Sequence, residues 1–386
     1  MRVVIAPDSF KGSLSAKEVG STILKALTSE VEGVDAAVVP MADGGEGTLE
    51  ALVDATEGMR IDVRVSGPLL RPIHTHYGVL GDEETAVVEV AQIAGLTQVP
   101  EAEKNPLNTS SYGVGEAILH ALNQGYRKFM IALGGSAVND GGVGLLQALG
   151  ASFSDRSGRP VRPVGGSLAE IVEVSMDTLD PRLSECDLWV ANDVSNPLCG
   201  ERGCSAVFGP QKGATKSQVR QLDSGLRHVA GLLEACMGRS LQHEPGAGAA
   251  GGLGFALLLL GARMEKGARI VADIAGLERK ISGADWVITG EGRTDEQTAY
   301  GKLPYFVAQM ARRHGAKPLL LSGSIGEGAE SLYETFVSLH SILRRPVSLQ
   351  EAIENAESLL YETSRDIARL IGATGSENTE KRGNHV

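Results

Sequence analysis

The sequence predicts an α/β protein of two α/β domains: a parallel-sheet domain, and a second, mixed-sheet domain inserted into it. Three observations predict this. Short apolar runs repeatedly feed glycine- and acid-rich loops that lead into helical periodicity, the strand–loop–helix rhythm of a parallel sheet. Closely spaced strand-like runs interrupt that rhythm after Gly58, and it returns at Trp286. The length of 386 residues suits two domains.

The first run, 3–6, feeds Pro7-Asp8-Ser9-Phe10-Lys11-Gly12-Ser13. Ser15 and Glu18 then form a capping box, with Val19, Ile23, Ala26 and Leu27 at helical spacing. A second strand, 36–39, leads through Ala42-Asp43-Gly44-Gly45-Glu46-Gly47-Thr48 into a helix. Runs 61–65, 75–80 and 86–90 follow, separated by Gly67-Pro68 and Gly81-Asp82; no helix fits between them, so they read as antiparallel. Strand–loop–helix units recur around 129–150 and 188–230, and the Leu-rich 251–264 reads as a buried helix. Strands at 286–289, 319–321 and 336–339 restore the parallel rhythm. A long amphipathic helix closes the fold. Ser348 and Glu351 are its capping box, and Leu349, Ile353, Ala356, Leu360, Ile367 and Leu370 its apolar stripe. The polar tail after Gly372 reads as frayed. The expected domains are therefore 1–60 plus 285–386, discontinuous, and 61–284, inserted, with an active site in the cleft between them.

Composition excludes several function classes. A net charge of −12 argues against a nucleic-acid surface. The four cysteines form no CxxC pair and read as thiols of a reducing compartment. No signal peptide is read at the start, and the longest apolar run, 255–260, is too short to cross a bilayer. The expectation is a cytoplasmic enzyme without membrane or nucleic-acid partners. There is no GxSxG elbow, and the histidines fall outside the glycine and acid loops.

Ligands of open α/β sheets bind at the carboxyl ends of the strands, where these loops lie. The 49 glycines cluster there, as tight turns and close backbone approach require. Lys11, just before a helix, can reach a phosphate held at the helix N-terminus, with Asp8, Ser9 and Ser13 beside it. Asp43, Glu46, Asp140, Asp193, Glu291 and Asp295 place six acids in four such loops. One acid there is ordinarily a turn or cap residue. Six point to Mg²⁺, which takes one or two carboxylates plus substrate phosphates, and to a carboxylate that orients or deprotonates an attacking hydroxyl. Gly246, Gly248 and Gly251 satisfy GxGxxG, but Gln242-His243-Glu244-Pro245 before them cannot be a central strand. A phosphate-approaching loop, or a glycine-rich helix entry needed for packing, fits better than a dinucleotide site. Lys212, in Gly209-Pro-Gln-Lys-Gly213, lacks Walker spacing and reads as a surface turn or a phosphate contact.

At these loops the sequence resembles the bacterial glycerate kinase family of type 1, the glycerate 2-kinases. The resemblance rests on Pro7 to Ser13, Ala42 to Thr48, Gly134-Gly-Ser-Ala-Val-Asn-Asp-Gly-Gly142, Asn192-Asp-Val-Ser-Asn-Pro-Leu198, Phe208-Gly-Pro-Gln-Lys-Gly-Ala214, Pro245 to Gly254 and Thr289-Gly-Glu-Gly-Arg-Thr-Asp-Glu-Gln-Thr298. Val138 stands where a threonine is expected, and Asn192 where a cysteine is expected; neither removes a charge. The resemblance implies a flavodoxin-like domain joined to a second α/β domain likened to restriction endonucleases. It implies ATP- and Mg²⁺-dependent phosphorylation of D-glycerate at the 2-hydroxyl, giving 2-phosphoglycerate and ADP. A glycerate 3-kinase and an NAD-dependent hydroxy-acid oxidoreductase are the alternatives, and monomer or homo-oligomer stays open. On this premise Asp193 and Asp295 are candidates for base and Mg²⁺ ligand, in either order. Lys11 and Arg293 would hold anionic groups. Asp8, Ser9, Ser13, Ser136, Asn139, Lys212, Gly246, Gly248, Gly251 and Gly252 would contact substrate or phosphates, and Asp43, Glu46, Asp140 and Glu291 the metal.

Overall fold

The computed structural model describes the backbone of residues 1–383 and the side chains through Ala373. The strands, in chain order, are β1 (Arg2–Ile5), β2 (Asp35–Val38), β3 (Met59–Ser66), β4 (Pro72–Val79), β5 (Thr85–Glu89), β6 (Lys128–Ala132), β7 (Ser152–Ser154), β8 (Glu173–Ser175), β9 (Asp187–Ala191), β10 (Arg263–Glu265), β11 (Trp286–Thr289), β12 (Arg293–Thr294), β13 (Lys317–Ser322), β14 (Ser324–Ile325) and β15 (Ser338–Ser341). The chain divides into two compact units: Met1–Asp43 together with the chain from Ala268 on, and Gly44–Gly267.

The first unit carries a five-stranded, all-parallel sheet of order β15-β13-β11-β1-β2. Counted within the unit this is 2-1-3-4-5, the flavodoxin-like order, and its switch point lies between β1 and β11. Val3, Ile5, Ile288 and Leu321 form the core with Ile23 and Leu27 of the helix Ala16–Glu30. That helix starts at the anticipated capping box: Ser15 Oγ accepts from Glu18 N at 3.2 Å, and Glu18 accepts from Ser15 N at 2.8 Å. The closing helix departs from expectation. Ser348 caps only a short helix, Leu349–Glu354, and the chain restarts as Ala356–Gly383. The break at Asn355 shifts the helical phase, so Leu349 and Ile353 are exposed. Leu370 is exposed as well, because the buried face continues through Ile367, Ala368 and Ile371. The tail anticipated to fray after Gly372 continues as helical backbone to Gly383; its last three positions, 384–386, lie outside the described residues.

The second unit carries a six-stranded mixed sheet of order β10-β9-β6-β5-β4-β3. β3, β4 and β5 are antiparallel, as their spacing predicts; β5, β6, β9 and β10 are parallel. Phe129, Ile131, Leu146, Phe153, Leu226 and Phe255 lie in its core. Helix Thr48–Thr56, expected within the outer domain, packs here: a Cβ on Gly78 of β4 would come within 2.7 Å of Val53. Segment 251–264 is not one helix. Leu253–Leu259 is helical, Gly261 turns the chain at φ 88°, and Arg263–Glu265 joins the sheet edge beside β9. Among the described residues no helix is long and apolar enough to cross a membrane.

Candidate active site

Three loops converge at the switch point of the first unit. Beyond β1, Ala6 N donates to Ile288 O at 2.7 Å and Asp8 N to Gly290 O at 2.9 Å, so the first loop is laced to the one after β11. The glycines allow backbone to meet backbone. A Cβ at Gly290 would sit 1.8 Å from Leu321 O, and one at Gly323 would sit 2.3 Å from Gly292 O. In this cluster Asp43 and Glu291 both act on Asp8. Burial first, and then the charge of Asp43, hold the Asp8 carboxyl well above the usual range, with Glu291 adding to the effect. Asp8 Oδ1 accepts from Ser9 N at 2.7 Å. Glu291 is buried, which raises its pKa; Thr298 and Thr294 hydroxyls donate to its Oε1 at 2.6 and 3.1 Å and oppose the rise.

Cations line the same loops. Lys302 Nζ stands 3.5 Å from Asp295 Oδ1 and 3.9 Å from Glu291 Oε2, and Arg293 Nε stands 3.7 Å from Asp295 Oδ2. Lys11 is exposed and makes no ion pair among the described residues. Asp295 also caps its own turn, accepting from Gln297 N at 3.1 Å. Ser13 Oγ donates to Phe10 O at 2.9 Å, which closes the turn around Lys11 and gives this serine a structural task. Lys302 escaped the sequence reading, although like Lys11 it is a lysine placed between a strand-end loop and a helix, here Leu303–Arg313.

These carboxylates repel one another and offer hard oxygen donors, a set that suits a divalent cation such as Mg²⁺. Among the described residues no three His, Cys, Asp or Glu side chains are grouped tightly enough to hold a metal by themselves. That is compatible with an ion that takes one or two carboxylates and completes its shell with phosphates and water.

The second unit collects the remaining candidates at the carboxyl ends of its parallel strands. Gly134 N donates to Gly44 O at 2.9 Å, and a Cβ on Gly134 would lie 2.4 Å from Gly45 Cα, so the loop bearing exposed Glu46 packs on the loop after β6. Asp193 is exposed after β9 and accepts from Gly267 N at 3.1 Å. Asp140 is fully buried and points away from any metal role. Its carboxylate accepts from Ser111 N and Oγ at 2.7 and 2.8 Å and from Gly142 N and Gly144 N at 3.2 and 3.3 Å, which organises the entry to helix Val143–Ala148. Asn139 is buried as well, donating to Ser205 Oγ at 2.9 Å. Lys212 is no surface turn: it is buried, and its Nζ donates to Val138 O at 2.6 Å and Ser136 Oγ at 3.1 Å.

Glycine is required by packing at positions 246, 248, 251 and 252. Added Cβ atoms would meet Asn192 Nδ2 at 2.7 Å, Pro197 O at 2.3 Å, Val138 O at 2.0 Å and Gly141 Cα at 2.6 Å, in that order. Turns, not a strand, precede them, so the dinucleotide arrangement is absent. Glu89 is a further residue that the sequence reading missed. It ends β5 with its side chain buried, accepts from Gly47 N at 3.2 Å and Leu49 N at 2.9 Å, and so caps helix Thr48–Thr56. An acid closing an otherwise apolar strand was the available signal.

A family model described as the glycerate kinase family matches residues 3–372. Glycerate kinase of Bacillus subtilis is 44% identical over 96% of this chain and 98% of its own length. Glycerate 2-kinase of Escherichia coli is 41% identical over 98% of this chain and all of its own. A crystal structure from Salmonella typhimurium LT2, provisionally described as glycerate kinase 2, superposes with a TM-score of 0.84 at 41% identity, covering 97% of this chain and 99% of that one.

Proposed function

The chain belongs to the glycerate kinase family, and on that premise we propose that it transfers the γ-phosphoryl group of ATP to the 2-hydroxyl of D-glycerate, giving 2-phosphoglycerate and ADP. The observation that carries this reading is the switch-point loop cluster, where Asp43 and Glu291 act on buried Asp8, Lys302 stands beside Glu291 and Asp295, and Arg293 beside Asp295. Phosphoryl transfer asks a protein for positioning and charge neutralisation more than for covalent chemistry. Both demands are supported by this set of side chains.

Lys11 and Arg293 would bind the glycerate carboxylate or the transferred phosphoryl group; the fork of arginine suits either anion. Lys302 keeps Asp295 oriented from one side and Arg293 from the other. Asp295 is the candidate base for the 2-hydroxyl proton, and Asp193 the second candidate carboxylate. Asp8 and Asp43 would hold Mg²⁺, which when bound neutralises charge on the phosphates. ATP use and four free cysteines support a cytoplasmic setting.

The test is purified protein with D-glycerate, ATP and Mg²⁺, read through two coupled assays. Signal with enolase and downstream enzymes alone identifies 2-phosphoglycerate. Signal only after phosphoglycerate mutase is added identifies 3-phosphoglycerate and overturns the proposed regiochemistry. No ADP with either enantiomer overturns glycerate as the substrate.

A further inference from the structure

Lys212 is buried, and among the described residues no carboxylate lies within ion-pair distance of it. An ammonium is a donor only, with three protons and no lone pair. One proton goes to Val138 O and one to Ser136 Oγ, across 74 and 76 residues of sequence. In the second bond the serine oxygen accepts, so its own proton points elsewhere. Among the described residues no protein group takes that proton. Ser136 follows β6, a strand flanked on both sides in the parallel part of the sheet, and its neighbour Gly135 is exposed to solvent. Ligands of such sheets arrive at this edge.

We propose that Lys212 is a positioning residue that holds the Ser136 hydroxyl as a donor toward an anionic oxygen of the bound substrate pair. That oxygen belongs to a nucleotide phosphate or to the glycerate carboxylate. The proposal rests on the kinase reading and adds to it a specific donor. Replacing Lys212 by an apolar side chain of similar length removes the desolvation cost of a buried charge but leaves Val138 O and Ser136 Oγ without this donor, so a positioning role is told from a purely structural one by ligand affinity measured on folded variants.

The experiment is a cycle of Lys212→Met, Ser136→Ala and the double variant, with KM for ATP and for D-glycerate, titration binding of ADP and D-glycerate, and thermal melting. Each single variant is expected to weaken one of the two ligands by about tenfold, the effect of one hydrogen bond to a charged group. The double variant is expected to bind no worse than Ser136→Ala, and Lys212→Met to remain folded at the assay temperature, melting within about 10 °C of the wild type. A change confined to ATP and ADP identifies the phosphate, and one confined to glycerate the carboxylate. Additive losses, unchanged affinity for both ligands, or losses that merely track unfolding would overturn the proposal. A wild type inactive on glycerate defeats the kinase reading instead, and the ADP arm of the cycle still decides the role of Lys212. Should Lys212→Met not fold, Lys212→Gln, which keeps two N–H donors on a shorter chain, replaces it.

Discussion

Glu89→Gln should change how stability depends on pH. The Glu89 carboxylate lies in the core of the second unit, and burial, with the charge of Glu46 adding to it, pushes its pKa up to about 7; the N–H groups of Leu49 and Gly47 offset part of the rise. The folded chain therefore binds this proton more tightly than the unfolded chain, whose value is the ordinary 4.5. Stability from this source is fully present below the unfolded value and is lost as pH rises through the folded one. A shift of about 2.5 units at about 1.36 kcal/mol each amounts to roughly 3 kcal/mol. Glutamine resembles the protonated acid and does not titrate. The variant should sit near or slightly below wild type at about pH 5, where its amide N–H₂ faces one of the helix donors, and gain on wild type by roughly 3 kcal/mol by about pH 8. For a unit of this size that gain is about 6–12 °C in melting temperature. Paired melts of both proteins across this range cancel the titrations they share. Parallel curves, or a wild type that gains on the variant as pH rises, would refute the assignment of burial as the dominant cause.

Other consequences follow from the same structure. Asp295→Asn should lower turnover by about a hundredfold, within the range for a lost general base, at unchanged melting temperature; near-normal turnover removes it from the site, and Asp193→Asn is judged the same way. Asp8→Asn should raise the Mg²⁺ concentration for half-maximal rate about tenfold, since one of the repelling carboxylates is gone; an unchanged Mg²⁺ titration argues that another pair holds the ion. Gly251→Ala should destabilise by at least about 2 kcal/mol on denaturant titration, because φ is +67° there and the new Cβ would lie 2.0 Å from Val138 O; a wild-type midpoint would show that the loop moves aside cheaply.

Much of the fold was legible because its signals are local. Ser15 and Glu18 are three residues apart, and the box they announce forms whatever the rest of the chain does. Ser348 and Glu351 carry the same signal, and Glu351 N does bond to Ser348 Oγ. The Glu351 carboxylate, however, turns to Arg345, and the helix stops within two turns. The antiparallel spacing of β3 to β5 was equally readable from turn residues, and the strand-end loops marked where chemistry would gather.

The sequence by itself determined the strand–loop–helix rhythm, the family, and the acids, cations and glycines from which a site could be drawn. Only the tertiary structure decided which of them meet. Asp140 and Asp43 look alike in sequence. One ends buried on four donors, while the other raises the proton affinity of Asp8. Gly251 and Gly252 stand out in sequence as part of a glycine-rich run, and only the fold shows the backbone of residues 138–141 lying against them. Lys212, Lys302 and Glu89 acquire their roles from partners 7 to 76 residues away. Burial and proximity set the cost of a charge and the direction of a proton, and both belong to the folded chain rather than to any local stretch of it.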